Sequence, residues 1–131
     1  MNYQNFINKN FRYTLVGATT NQAKYGYRAL KDLSNAGFSI VGVNPNYQEI
    51  EGIKIYPTLK EVPQKPEVVI FVVPLEVGLK ILDEVAELDI KKVWFQPGAE
   101  SEAIRIKAKE LKLEAMADGS CIMVARRSLG L

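Results

Sequence analysis

Residues 13–26 read YTLVGATTNQAKYG, a pattern of buried strand, glycine turn, hydroxyl side chains and helix start. The first amides of a helix lack intrahelical acceptors and carry the positive end of the helix dipole, so they attract anions. Gly17 has no Cβ, which lets a phosphate group approach the backbone where the strand ends. The stretch therefore predicts a turn that holds the diphosphate of a nucleotide-containing ligand.

Strand and helix patterns alternate along the rest of the chain. Apolar or β-rich runs predict strands over residues 11–16, 38–43, 51–57, 68–73, 92–95 and 113–117. Apolar residues at helical spacing predict helices over 25–35, from 75 to about 89, and after Ser101 as an N-cap. This alternation predicts an α/β, Rossmann-like three-layer sandwich, an open parallel sheet with helices on both faces. The expected strand order is 3-2-1-4-5 with room for a sixth strand, in a single domain over residues 1–131.

Shorter patterns give further structural expectations. Residues 3–10 are expected to form a leading helix with Phe6 and Ile7 facing inward, and residues 59–62 a single helical turn. The chain after residues 118–120 is expected to be an irregular tail. The buried face of the second helix is expected to consist of Leu75, Leu79, Leu82 and Ala86.

Composition limits the function classes. The chain has 131 residues, 47% of them hydrophobic and 24% charged, which is typical of a soluble globular protein. A formal net charge of +2 does not indicate nucleic acid or an anionic membrane as a partner, and the apolar run over 68–73 is far shorter than a membrane span. One cysteine and an N-terminus without a secretory pattern lead us to expect a cytoplasmic protein. Cys121 itself is expected to be a small packing residue.

The chain contains no histidine, which removes the commonest general base and the commonest metal ligand. Glu76, Glu100 and Glu102 stand near strand ends, but their spacing does not indicate a catalytic carboxylate pair. The sequence therefore gives an enzymatic role or a metal site no support.

Turn residues follow four of the predicted strands. They are Gly17-Ala18-Thr19, Asn44-Pro45, Val73-Pro74 and Gln96-Pro97-Gly98. Strands commonly end in glycine and proline, so each turn alone is weak evidence. The carboxyl ends of parallel strands share one edge, and ligands of open α/β sheets bind there, where the strand order reverses. Together the four turns predict a binding site at this edge.

The same edge does not match a dinucleotide site. The fingerprint for NAD requires G-x-G-x-x-G and an acidic residue after the second strand. Thr19 and Gln22 occupy the positions of the second and third glycines, and Asn44 stands in place of the acid. A nucleotide with additional phosphate is the better expectation.

Six segments, in this order, resemble the small coenzyme A-binding Rossmann domain family, which is related to the N-terminal domain of the succinyl-CoA synthetase alpha subunit. They lie within about residues 11–124 and read LVGATTNQAKYGYRAL, IVGVNPNY, GIKIYPTLKEVP, VVIFVVPLE, KVWFQPGAES and ADGSCIMV. Each segment is weak evidence alone, whereas the ordered set is specific. The resemblance implies a Rossmann-type fold with coenzyme A as its ligand.

The resemblance also implies a role for each turn. The first would meet the phosphates, the second would lie against adenosine, the third would form an apolar wall, and the fourth would border the pocket. Lys24, Tyr25 and Arg28 follow the first turn, where the small family members place a basic or aromatic contact. Because coenzyme A carries a 3′-phosphate besides its diphosphate, Lys24 and Arg28 are candidate cations. The alternative is that both are solvated residues on a surface helix.

Two departures limit what the resemblance implies. The synthetase domain has a lysine shortly after the proline of the second strand, where this chain has Asn46-Tyr47-Gln48. The catalytic histidine of the synthetase belongs to a second domain with no counterpart in these residues. Ligase activity is therefore not expected.

The residues and the resemblance together predict a module that binds coenzyme A or an acyl-CoA without catalysing a reaction. Two alternatives stay open: an enzyme or subunit that uses NAD(P) or another nucleotide, and a regulatory or scaffolding domain with a vestigial pocket. The expected partner is the small-molecule ligand, with a homodimer or a partner protein left open. Neither nucleic acid nor a membrane is expected as a partner.

Overall fold

A seven-stranded sheet forms the centre of the structure, a computed structural model that describes residues 2–131. Met1, which the predicted domain over 1–131 includes, lies outside the described residues. The elements in chain order are β1 (Arg12–Val16), α1 (Tyr25–Asn35), β2 (Ser39–Val43), β3 (Glu49–Ile50), β4 (Ile53–Tyr56), β5 (Val68–Phe71), α2 (Leu75–Glu87), β6 (Lys92–Phe95), α3 (Glu102–Glu110), β7 (Glu114–Met116) and α4 (Ile122–Ser128).

The sheet has the order β3-β4-β2-β1-β5-β6-β7 and is parallel apart from the β3–β4 pair. The predicted α/β architecture and strand order are thus confirmed, with β7 as the sixth parallel strand. The antiparallel β3 is an addition that the sequence patterns did not indicate. It pairs with β4 through a tight turn at Glu51 and Gly52, whose φ angles of 48° and 87° are both positive.

Helices cover both faces of the sheet. Leu15 of β1 packs in one core cluster with residues of α1 and with Ile122 of α4. Val69 of β5 packs in a second cluster with Leu82 of α2 and with Ile104 of α3. Each large apolar side chain buried in this way contributes about 1.5–3 kcal/mol relative to exposure. None of the helices within residues 2–131 has the length and apolarity needed to cross a bilayer.

The strand register places the predicted turns side by side. Val16 lies opposite Val43 of β2 and Phe71 of β5, and Phe71 in turn lies opposite Phe95 of β6. The residues that follow these strands therefore meet at one edge of the sheet, as the prediction of a carboxyl-edge site requires.

The predicted leading helix is wrong, because only Tyr3–Asn5 form a short 3₁₀ turn. After this turn, the backbone groups of residues 6 and 8 are hydrogen-bonded by the Tyr13 hydroxyl, which donates to the Phe6 carbonyl at 2.7 Å and accepts from the Asn8 amide at 3.0 Å. Burial raises the pKa of Tyr13 to about 12. Phe6 and Ile7 are buried, as predicted. The predicted helical turn after β4 is present as a 3₁₀ turn.

The predicted irregular tail is also wrong, because α4 follows β7. Its residues Ile122 and Met123 are buried against the sheet. The Arg126 guanidinium donates to both carboxylate oxygens of Asp32 in α1, at 2.7 and 2.9 Å. These bonds lower the pKa of Asp32. The segment is ordered by this tertiary pairing and burial, since Cys121 at its start provides no side-chain cap.

The buried face of α2 differs in part from the predicted one. Gly78, Leu82 and Val85 are buried, whereas Leu75 at the first position of the helix is 42% exposed. The prediction is thus right for Leu82 and wrong for Leu75, because the stripe that meets the sheet runs through Gly78 and Val85. Compared with the predicted orientation, α2 is rotated about its axis, so a neighbouring stripe of its residues faces the edge where the strands end.

Asp32→Asn is expected to lower the free energy of unfolding at neutral pH by about 1–3 kcal/mol, between the values for exposed and buried ion pairs. Because the folded-state pKa of Asp32 is lowered, its stabilisation is present above the unfolded-state pKa and is lost as the pH falls through the folded-state pKa. Urea unfolding should show wild type and variant converging in acid.

The matched control is Glu87→Gln, which removes an exposed ion pair with Lys60 at 3.6 Å. It should change the unfolding free energy by no more than about 0.5 kcal/mol. A loss for Asp32→Asn that is equal at neutral and acid pH would contradict the electrostatic account of α4.

Candidate functional site

Gly17 forms the turn that follows β1. Its φ is +99°, in the region that favours glycine, and its amide donates to the Val43 carbonyl at 3.1 Å. A Cβ at this position would overlap the carbonyl oxygen of Val72. Glycine is therefore needed for the ends of β1, β2 and β5 to lie this close together.

The amides of Ala18 and Thr19 follow this turn, and neither has a hydrogen-bond acceptor within residues 2–131. Ala18 is buried as a whole residue, backbone included, whereas Thr19 is half-buried, so of these two amides that of Thr19 is the one a ligand can reach. A free backbone donor beside a glycine turn suits an anion. The Thr19 amide is such a donor, and the binding of a phosphate by the Gly17-Ala18-Thr19 turn stays a prediction.

The first turn of α1 packs directly on Gly17. The helix begins at Tyr25, with residues 18–24 as a loop between. A Cβ on Gly26 would overlap the Gly17 carbonyl oxygen and lie 3.1 Å from the Cγ2 atom of Thr19. Gly26 therefore allows the close helix–strand approach that the third glycine provides in a dinucleotide fingerprint. Sequence analysis missed it because it lies beyond the spacing of that fingerprint.

Asn44 couples the end of β2 to the glycine turn. Its Nδ2 donates to the Ala18 carbonyl at 2.8 Å, and its Oδ1 accepts from the Asn46 amide at 2.9 Å. Both ends of the side chain thus have protein partners. Asn44 lies at the predicted place and holds the turn in position.

Three hydroxyl groups lie beside the same turn. The Tyr47 hydroxyl is 3.4 Å from Oγ1 of Thr19 and 3.3 Å from Oγ1 of Thr20. Hydrogen bonds with Thr19, which has the larger effect, and with Thr20 lower the pKa of the Tyr47 phenol. Tyr47 stands in the segment where the related synthetase has a lysine, so hydroxyls occupy that region here. Its place just after Pro45 was the signal that could have identified it as a site residue.

A cleft of about 210 Å³ opens between the ends of β1 and β5, where the strand order reverses. We call it the switch-point cleft. It is lined by four predicted site residues, Gly17, Asn44, Pro45 and Val73. The loop after β4 adds Thr58 to the lining. The structure therefore brings the first three predicted turns together at the reversal point.

The outer wall of the switch-point cleft comes from α2. Val77, Ile81 and Glu84 recur at helical spacing along one face and line the cleft. Among residues 2–131, Glu84 is the only charged residue in the lining. Sequence analysis missed this wall because it assigned the apolar residues of α2 to the core alone.

A second cleft, of about 370 Å³, lies on the α1 side of the same edge, and we call it the proline cleft. Val73 lines both clefts, so they adjoin beside the Gly17 turn. The predicted site residues in its lining are Lys24, Tyr25, Val73, Pro74, Pro97 and Gly98.

Arg28 lies outside the lining of both clefts. Its guanidinium carbon is 5.8 Å from the centroid of the Tyr25 ring, a cation–π distance, and its side chain is exposed. Lys24 lines the proline cleft. The structure thus separates the two predicted cations.

Gln96 lies inside the protein and lines neither cleft. Its Oε1 accepts from the Trp94 indole at 3.0 Å and from the Ile122 amide at 2.7 Å. Its Nε2 lies 3.5 Å from the sulfur of Cys121, which is half-buried beside it. Gln96 therefore connects β6 to the start of α4, and it positions the Pro97-Gly98 turn from the interior of the protein.

A cleft of about 270 Å³ lies away from this edge, over the sheet face formed by Thr14, Val41 and Tyr56, and we call it the sheet-face cleft. The Thr14 hydroxyl is buried and has no hydrogen-bond partner among the residues that the structure describes. No predicted site residue lines this cleft.

Comparisons with known proteins give a consistent result. A protein-family model described as a CoA binding domain matches residues 12–127. Acetate–CoA ligase [ADP-forming] I of Archaeoglobus fulgidus is 31% identical over 77 residues, which make up 59% of this chain and 11% of the ligase. The acetate–CoA ligase [ADP-forming] of Methanocaldococcus jannaschii is 34% identical over 77 residues, with the same coverage of 59% and 11%. This chain thus spans about a tenth of the length of these relatives.

A solved structure of similar size also matches. The conserved hypothetical protein from Pyrococcus furiosus is 50% identical, with a TM-score of 0.81. The match covers 86% of this chain and 97% of that one. Nearly all of that chain therefore corresponds to the sheet and helices described above.

Gly26→Ala is expected to destabilise the protein by about 1–3 kcal/mol, because the new methyl group overlaps the Gly17 carbonyl and forces backbone movement. Gly78→Ala is the matched control in α2. Its Cβ would lie 3.3 Å from the flexible end of Ile104, and alanine favours the helix, so its stability should stay within about 1 kcal/mol of wild type. Thermal and urea unfolding measure both. Equal stability of the two variants would show that Gly26 is not needed for the close approach.

Proposed function

The chain belongs to the CoA-binding domain family, and on that basis we propose that it binds coenzyme A or an acyl-CoA at the carboxyl edge of its sheet. The observation that carries this proposal is the meeting of two clefts beside the Gly17 turn. Coenzyme A has a nucleoside end, a diphosphate and a pantetheine arm. The edge offers an apolar cleft, a turn with free donors and a second cleft, in the same order.

The diphosphate would lie on the turn. The free amide of the half-buried Thr19 supplies a donor, and the start of α1 adds the positive end of its dipole. Hydrogen bonds to a charged acceptor are stronger than neutral ones. Backbone donors fixed by the Gly17 conformation also need no ordering when the ligand binds.

Adenosine would occupy the switch-point cleft. Val43, Pro45 and Ile81 give it apolar walls on which an aromatic base can be buried. The hydroxyls of Thr19, Thr20 and Tyr47 stand on the β2 side, and we assign the 3′-phosphate to them. No lysine or arginine lines this cleft among residues 2–131.

The pantetheine arm would lie along the proline cleft, where Pro74 and Pro97 provide apolar contact. Lys24 lines this cleft rather than the nucleoside cleft. We therefore assign Lys24 to the diphosphate and not to the 3′-phosphate. Arg28 would add positive potential near this edge, and its cation–π contact would hold the Tyr25 ring in place.

We propose binding without a chemical step. The charged residues that line the two clefts are Glu84 and Lys24, and they belong to different clefts. The ligases that match this chain are much longer, and their activity is not transferred to it. A nucleotide-dependent enzyme that uses NAD(P) is the competing function, and ligand binding separates the two.

Thermal unfolding with coenzyme A, dephospho-coenzyme A and NAD tests the proposal. At 100 times its dissociation constant, coenzyme A should add roughly 2.7 kcal/mol of apparent stability, about 10 °C for a chain of this size. Dephospho-coenzyme A should give a smaller shift, and NAD little or none. A shift with NAD and none with coenzyme A would overturn the proposal.

Lys24→Ala should weaken binding of both coenzyme A and dephospho-coenzyme A by about 10-fold at low salt, since it removes one charge-assisted contact to the diphosphate. The loss should shrink at high salt because the contact is exposed. Isothermal titration measures both ligands. Lys91→Ala is the control, because Lys91 pairs with Asp89 before β6, at the other end of the sheet. A loss confined to coenzyme A would instead assign Lys24 to the 3′-phosphate.

A further inference from the structure

Within the part of the chain that the structure describes, Glu84 is the one charged group in the lining of the switch-point cleft. We propose that Glu84 selects adenine as the base of the ligand by accepting a hydrogen bond from the exocyclic amino group of adenine. This inference rests on the proposed function. The residue was not among the predicted site residues, and its role follows from its position on α2.

The position of Glu84 follows from the rotation of α2. The stripe Gly78, Leu82 and Val85 is buried against the sheet. Val77, Ile81 and Glu84 each precede one of those residues, so they form the adjacent stripe that faces the cleft. Glu84 thus continues an apolar wall and places one carboxylate at its end.

The carboxylate of Glu84 has no competing partner. The neighbouring acids of α2 are both paired, Asp83 with Lys107 at 2.8 Å and Glu87 with Lys60 at 3.6 Å. Glu84 has no ion pair and no side-chain hydrogen bond within residues 2–131. Its lone pairs are therefore free to accept from a ligand.

An acceptor in an apolar cleft discriminates between purines by the group at position 6. Adenine carries an amino donor there, whereas hypoxanthine carries a carbonyl oxygen that would face the carboxylate and repel it. A base bound against Val77 and Ile81 would cover the carboxylate, so the unpaired groups in the wrong complex would lose solvation without gaining a partner. Sites that hydrogen-bond a substrate group reject analogues that lack it far more strongly than apolar sites reject a change of size.

The ribose hydroxyls are the other donors that such a ligand could offer to Glu84. If the Glu84 carboxylate accepted from the ribose instead of the base, it would contribute equally to the affinity for ligands with either base. It would also lie close to the negatively charged 3′-phosphate. Base discrimination therefore distinguishes the two placements of the ligand.

The experiment compares coenzyme A with its hypoxanthine analogue by isothermal titration. Wild type should bind coenzyme A at least about 10-fold more tightly, the effect of one hydrogen bond to a charged group. In Glu84→Gln the amide can accept from adenine or donate to hypoxanthine, so the ratio should approach one while coenzyme A still binds. Glu87→Gln, one helical turn along and exposed, should keep the wild-type ratio.

Each outcome decides a separate point. If wild type does not bind coenzyme A, the proposed function itself fails. If wild type binds both ligands equally, or if Glu84→Gln keeps the wild-type ratio, the role of Glu84 is overturned and the proposed function stands. Melting curves without ligand should match for wild type and Glu84→Gln, which excludes misfolding as the cause of a changed ratio.

Discussion

The structure depends on a close approach of backbone segments at Gly17. The carbonyl of Val72 occupies the space where a side chain at Gly17 would project, and the carbonyl of Gly17 occupies the space where a side chain at Gly26 would project. The same turn receives a hydrogen bond from Asn44 at its Ala18 carbonyl. β1, β2, β5 and α1 are thereby fixed relative to one another at a single point, where the chain has almost no side-chain freedom.

This constraint explains why the candidate site lies where it does. The turn leaves a free amide at the half-buried Thr19, and the bulkier elements on either side leave space. On one side, α2 and the loop after β4 enclose the switch-point cleft; on the other, Tyr25, Pro74 and Pro97 border the proline cleft. A long ligand with a charged group between a base and a less polar arm matches this arrangement. Coenzyme A has these groups in this order, and its 3′-phosphate adds a further charge at the nucleoside end.

Sequence patterns predicted the strands and the edge because both depend on local hydrophobicity and on turns such as Val73-Pro74, and the topology rules for parallel sheets then predicted the strand order. They failed where tertiary packing decides. The helix α4 is stabilised by the pairing of Arg126 with Asp32, which is distant in sequence. Cys121 at the start of the helix provides no side-chain cap that would have indicated a helix there. Gln96 faces inward because the Trp94 indole needs an acceptor, and Glu84 faces the cleft because α2 is rotated about its axis.

The central claim is that the Gly17 turn holds the charged middle of coenzyme A, and a titration followed by ¹H–¹⁵N correlation NMR tests it residue by residue. Coenzyme A should shift the amide resonances of Ala18 and Thr19 most strongly, with smaller shifts in residues of the two adjoining clefts. Amides of Val41 and Tyr56 in the sheet-face cleft should stay unchanged. The largest shifts at Val41 and Tyr56, with Ala18 and Thr19 unaffected, would contradict the account.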